Sequence, residues 1–298
     1  MTDLVALQQA CLEALEEPGL RLLTDRLAGQ AIDAAAELTK VTAKRNSSRH
    51  LAALATATAV EAQTLGRWLL LRAALSAIPG IPTWRVSEPV KRLWADDVLF
   101  YARPVGDPSI FAVDNVLFQE MARVVTLRRW PAGQFHGEIA ALPRSYALHT
   151  SVRLWPKLFA ALAFELHGFG PLVETHLNVR RKNRLFMTQS EGMRSYYRLA
   201  RSIELRPEIK GLLAGSWLYC ASTAEITPHL AWLRGFFLEN GAFAAAIGPA
   251  PTDSGFLVGG EKRRQAYAEG IYRPTLTYIL WPRKKILEWA KQFPEPDV

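Results

Sequence analysis

The chain has 298 residues, 49% of them hydrophobic and 21% charged, with a formal net charge of +8. That balance excludes an intrinsically disordered chain and gives room for one large or two modest domains with a sizeable core. Its two cysteines, Cys11 and Cys220, exclude a disulfide framework, and no Cys/His spacing resembles a zinc site, so no metal is expected.

Residues 1–80 read as an all-helical N-terminal region. Leu4, Leu7, Cys11 and Leu15 form a helix-period stripe that stops at Pro18-Gly19. Further helices are expected over 28–43 and 49–77, where Ala, Leu, Glu and Gln dominate. Asp3 precedes any basic residue, and the apolar stretches are broken by Glu61, Arg67, Arg72 or Glu165. Neither a secretory leader nor a membrane span is expected, since a span needs roughly 18 uninterrupted apolar residues. A cytoplasmic protein is the expectation.

Residues 81–150 read as a mixed connector. Pro79, Pro82 and Pro89 bracket its start, and 97–101 and 124–130 read as strands. From residue 151 helix and strand signals alternate. A helix is expected over 155–167 and a strand over 171–179, followed by a helix capped by Ser190 and stopped at Pro207. An apolar strand over 209–219 comes next, then a helix from Thr227-Pro228 to Asn240-Gly241. Strands over 242–247 and 275–281, a short helix over 262–268 and a last helix after Pro282 complete the pattern. The fold class is α/β (α+β): a mixed sheet covered by helices, carried by 151–298 and preceded by the helical N-terminus.

The stretch from Pro171 to Arg184, PLVETHLNVRRKNR, carries the densest chemistry. Strand alternation puts Glu174, His176 and Asn178 on one face, with Arg180, Arg181, Lys182 and Arg184 just beyond. A carboxylate beside an imidazole can hold a base near neutral pH, and the cations form a rim for an anion. The plain alternative is a half-exposed strand face with ordinary ion pairs. In the next strand, alternation turns Ser216, Leu218 and Cys220 one way and Trp217 and Tyr219 the other. Tyr219 reads either as a proton donor or as an aromatic plug, and Cys220 as a buried thiol without a sequence partner. His229 and Arg234 flank the Pro228 helix, and Gly259-Gly260 leads into Lys262, Arg263 and Arg264, a second candidate anion grip. His136-Gly137-Glu138 and His149 are further candidates without metal-ligand spacing. The remaining Lys and Arg fall in short scattered clusters, and no helix-turn-helix, zinc-finger or RNA-recognition signature occurs. A small-molecule substrate is therefore expected rather than nucleic acid.

The C-terminal half resembles a family of uncharacterised bacterial proteins. The matching pieces are His176-x-Asn178-x-Arg180, Pro207 to Gly211 leading into Ser216-Trp217-x-Tyr219, Pro228 to Arg234 and Glu239 to Ala242. They continue with Arg263-Arg264-x-x-Tyr267-x-x-Gly270-x-Tyr272-x-Pro274 and Trp281-Pro282-Arg283. That family usually has Asp where Asn178 stands, and no activity comes with the resemblance. The strand–helix–strand–helix–strand order over 171–247 is also similar to the core of the GCN5-related N-acyltransferases. These grip the cofactor pyrophosphate at an (Arg/Gln)-x-x-Gly-x-(Gly/Ala) turn. Gln189-Ser190-Glu191-Gly192-Met193 stands there with a single glycine.

The resemblance implies transfer of an acyl group from an acyl-CoA to a small amine. His176 and Glu174 would take the amine proton and Tyr219 would protonate the leaving thiolate. Arg180, Arg181, Lys182, Arg184, Arg263 and Arg264 would meet phosphates. Asn178, Trp217, His229 and Arg234 would line the substrate. The alternatives are an accessory protein that binds a partner or an anionic ligand without catalysis, and an enzyme of another class.

Overall fold

The structure is a computed structural model that describes residues 3–27, 32–43, 59–103, 107–112, 115–143, 146, 150–178, 188–252, 255 and 260–293. The chain divides into two units, one comprising 1–132 with 178–184 and the other 133–177 with 185–298.

The first unit is helical: α1 (Leu4–Leu15), α2 (Pro18–Leu27), α3 (Ala34–Ala43), α4 (Ala59–Ala77), α5 (Glu88–Ala102) and α6 (Val116–Val125), ending in a short strand β1 (Arg129–Pro131). Asp3 caps α1 by accepting from the Ala6 amide, and the Asp33 carboxylate receives the Ala36 amide at the start of α3. Residues 97–101, read as a strand from their apolar run, lie inside α5. Val90, Trp94, Val98 and Tyr101 are all buried at helical spacing, so the stripe that begins upstream decides the conformation. Of the strand expected over 124–130, Val124 and Val125 end α6 and only Arg129 and Trp130 are extended. The Trp94 indole donates to the Val124 carbonyl at 2.9 Å. Arg67 closes the end of α5: its guanidinium donates to the Tyr101 and Ala102 carbonyls while pairing with Glu17. This ties α4, α5 and the link between α1 and α2 together through one side chain.

The second unit holds β2 (Phe135–Ala140), α7 (Trp155–Ala160), β3 (Leu172–Leu177), α8 (Gln189–Glu204), β4 (Gly211–Ser216), α9 (Ala221–Ile226) and α10 (Ala231–Glu239). It continues with β5 (Phe243–Pro249), α11 (Glu261–Ala268), β6 (Thr275–Pro282) and α12 (Arg283–Gln292). Its sheet runs β2-β3-β4-β6-β5, with β3 and β4 parallel and the other pairs antiparallel. The α/β class, a mixed sheet with helices on it and a helical N-terminal region, is therefore what the chain adopts.

Each face of the sheet has its own cover. On one, Leu172, Leu213 and Leu280 pack beneath Leu158, Leu162 and Leu166 of the segment around α7. On the other, α8, α10 and α12 supply an aromatic core. Tyr196 stacks between Phe135 and Phe236 at 4.8 and 5.6 Å, and Trp281 meets Phe236, Phe237 and Trp289. The cap of α8 is Thr188, whose hydroxyl accepts from the Glu191 amide, rather than Ser190. The strand expected over 209–219 stops at Ser216. There the serine hydroxyl accepts from the Leu218 amide and turns Trp217–Tyr219 into a 3-10 helix. Gly241, at φ +79°, ends α10 in the left-handed conformation.

Candidate functional site

The polar face of the sheet is built by the β2–β3 ladder. His136 stands opposite His176 and Glu138 opposite Glu174, and the residues between them turn to the aromatic core. Two imidazoles and two carboxylates therefore share one face, set there by the paired patterns His-x-Glu and Glu-x-His on antiparallel strands. His176 Nε2 lies 3.8 Å from a Glu138 carboxylate oxygen and 3.9 Å from one of Glu174. These separations exceed a direct hydrogen bond but suit an ion pair once the imidazole is protonated. The His176 side chain keeps 29% of its surface exposed, so solvent and a solute reach it, whereas His136 is buried at 3%. Among the described residues no group of three or more His, Cys, Asp or Glu is disposed to hold a metal ion.

The register carries this face further. Glu174 lies beside Leu213 of β4, and two residues on Gly215 lies opposite Tyr278 of β6. Tyr278 is half-buried; burial and then the charge of Glu174 push its phenol above the ordinary value. Its ring meets that of Tyr146 edge-on at 5.4 Å. Sequence reading missed Glu138 as a partner of His176, and the contact between Tyr278 and Tyr146. The His-x-Glu pattern at 136–138 was the available signal, but its strand partner lies almost forty residues away in the chain.

Tyr219 stands on the opposite face. It is 3% exposed, its hydroxyl is 3.2 Å from that of Tyr196, and its ring packs on Phe237. Burial is the first cause that holds its phenol above the ordinary value. The sheet separates it from His176, so the two do not meet; the 3-10 turn after Ser216 is what swings it there.

Asn178 is buried and belongs to the other unit. Arg180, Arg181, Lys182, Arg184 and His149 lie outside the described residues. Arg263 rests on the Trp217 ring at 5.3 Å, and exposed Arg264 pairs with Glu261. Arg234 donates to the Tyr219 carbonyl at 2.8 Å, and His229 is exposed. Gly192, read as the glycine of a phosphate-gripping turn, sits within α8. A side chain there would come within 2.1 Å of the Trp232 ring, so the glycine admits close helix packing. Cys220 is a third kind of feature: its sulfur lies 3.2 Å from the Ser222 hydroxyl and accepts from the amide and hydroxyl of Thr275.

No protein-family model matches the chain, and no curated protein matches it. Among solved structures it is similar to an acyltransferase crystallised in complex with decanoyl-CoA. The identity is 12% and the TM-score 0.43, over 94% of this chain and 100% of that one. A likeness this loose carries neither mechanism nor site across.

Proposed function

We propose that the chain transfers an acyl group from an acyl-CoA-type donor to a small amine, with His176 as the base. The observation that carries the reading is the position of His176 between the Glu138 and Glu174 carboxylates on a solvent-reached sheet face. The parallel β3–α8–β4 order agrees with the N-acyltransferase resemblance of the sequence. The amine nitrogen attacks the thioester carbonyl carbon, and a C–N bond forms as His176 takes the amine proton. The two carboxylates stabilise the imidazolium that results. When the C–S bond breaks, the imidazolium gives that proton to the departing thiolate, so Tyr219 is not needed. Arg180, Arg181, Lys182 and Arg184 remain the proposed partners of the donor's phosphates, with Arg263 and Arg264 as further cations.

The first test is thermal unfolding with acetyl-CoA, free CoA, nicotinamide and flavin cofactors, and divalent metals. A ligand at about 100 times its dissociation constant adds roughly 2.7 kcal/mol. Stabilisation by CoA species alone, reduced by Arg180→Ala or Arg184→Ala, supports the reading. No response at saturating CoA overturns it and sends the search to a macromolecular partner. His176→Ala should then abolish thioester cleavage; full activity in that variant would remove the base from the mechanism.

A further inference from the structure

Tyr146 is 1% exposed, and its hydroxyl finds no hydrogen-bond partner among the described residues. Native interiors leave few such groups unpaired, because each has given up a hydrogen bond it made to water. Leu142, Leu162 and Leu213 belong to the same buried cluster, and Tyr278 of the sheet packs against it. The Tyr146 ring meets Tyr278, and the Tyr278 ring lies across Gly215, where a side-chain carbon would stand 2.6 Å from it. Glycine at 215 makes the room that the Tyr278 ring occupies.

We infer that the hydroxyls of Tyr146 and Tyr278 form a donor pair for a carbonyl oxygen of the bound substrate. The identity of that oxygen, the thioester carbonyl, rests on the acyl-transfer reading. Burial holds both phenols above the ordinary value, and after it the neighbouring charge does the same, Glu174 for Tyr278 and Tyr278 for Tyr146. Both groups therefore stay neutral at physiological pH and can give a proton to a hydrogen bond. Each hydroxyl can donate to an acceptor such as a carbonyl oxygen. When the amine adds to the thioester, the carbonyl oxygen gains negative charge, and donors fixed in a water-poor site stabilise it more than the ground state.

The experiment compares wild type with Tyr146→Phe and Tyr278→Phe, using acetyl-CoA and a panel of small amines with thiol release as readout. Each variant should lower kcat by about 100-fold with KM little changed. Tyr146→Phe should also melt no lower than wild type, since the lost hydroxyl has no hydrogen-bond partner among the described residues. A structural role predicts the reverse, lowered melting with activity falling only in proportion. Tyr146→Phe with kcat within about twofold of wild type overturns the donor pair while leaving acyl transfer intact. If wild type releases no thiol with any amine, the acyl-transfer reading has failed, and the pair is judged with acetate as the probe. Chemical shifts of 13Cζ-labelled tyrosine at 146 and 278 that move with acetate, and lose the response in the phenylalanine variants, support it. Unmoved shifts overturn it.

Discussion

Gly215→Ala tests how the polar face is assembled. The added methyl carbon would stand 2.6 Å from Tyr278 Cε1 and 2.9 Å from Cζ, against ordinary contact from 3.4 Å. The ring has to withdraw by roughly 0.8 Å, an overpacking that costs about 1–3 kcal/mol. Reduced freedom of the unfolded chain offsets about 0.4–1 kcal/mol of that. The net loss of about 1–2 kcal/mol corresponds to a fall in Tm of roughly 2–3 °C for a protein of this size. Calorimetry on wild type, Gly215→Ala, Tyr278→Leu and the double variant closes a thermodynamic cycle. The glycine substitution should cost little in the Tyr278→Leu background, because the atoms it strikes are gone. A displacement near 1 Å should also lower acyl transfer by up to about 100-fold. The reasoning is refuted if Gly215→Ala melts with wild type, or if its cost is the same with and without the Tyr278 ring.

Three further outcomes are expected. Tyr219→Phe should lose about 1 kcal/mol in urea unfolding, through its bond to Tyr196, with kcat unchanged; a drop in kcat without a stability loss would return Tyr219 to the chemistry. Tyr146, Tyr196, Tyr219, Tyr272 and Tyr278 all ionise above the ordinary value of 10.0, burial first among the causes. In the unfolded chain they ionise near 10, so stability is full below that pH and is lost as pH rises through their folded values. Their phenolate absorbance should then appear in one step with loss of circular dichroism; five separate titrations near pH 10 in a folded protein would contradict this. Burial pushes the Cys11 thiol up to about 11, whereas hydrogen bonds from Ser222 and Thr275 together outweigh burial and lower Cys220. Alkylation followed by peptide mapping should mark Cys220 first, and faster labelling of Cys11 would contradict the assignment.

The elements whose signals are local were legible. Pro18-Gly19 ends the first helical stripe, Asn240-Gly241 ends α10, and the run from Thr275 to Trp281 is a strand. What failed depended on groups distant in sequence or on one side chain. Residues 97–101 are apolar enough for a strand, but Val90 and Trp94 had already set a helical period. The turn of Ser216 onto the Leu218 amide broke the alternation expected to run through Tyr219. Glu174 and His176 were legible as neighbours on a face; Glu138 was not, because strand register is fixed by contacts no single segment encodes. Several residues of the bacterial-family pattern have structural partners here. The Trp281 indole donates to the Asn240 carbonyl at 2.8 Å, and Arg283 donates to the carbonyls of Ile203 in the last turn of α8 and of Arg206 and Ile209 beyond it.

The strand order has a consequence for how the chain reaches this state. β6 is the last strand in sequence yet lies between β4 and β5. Until it emerges from the ribosome, β5 has no neighbour in the sheet and β4 shows an open edge. Arg283, which closes the segment after α8, arrives later still. The β4–β6–β5 part of the sheet therefore cannot close until residues 275–282 have been made. Messages truncated before residue 275 should yield chains with unpaired strands, and holding chaperones would find most to do there.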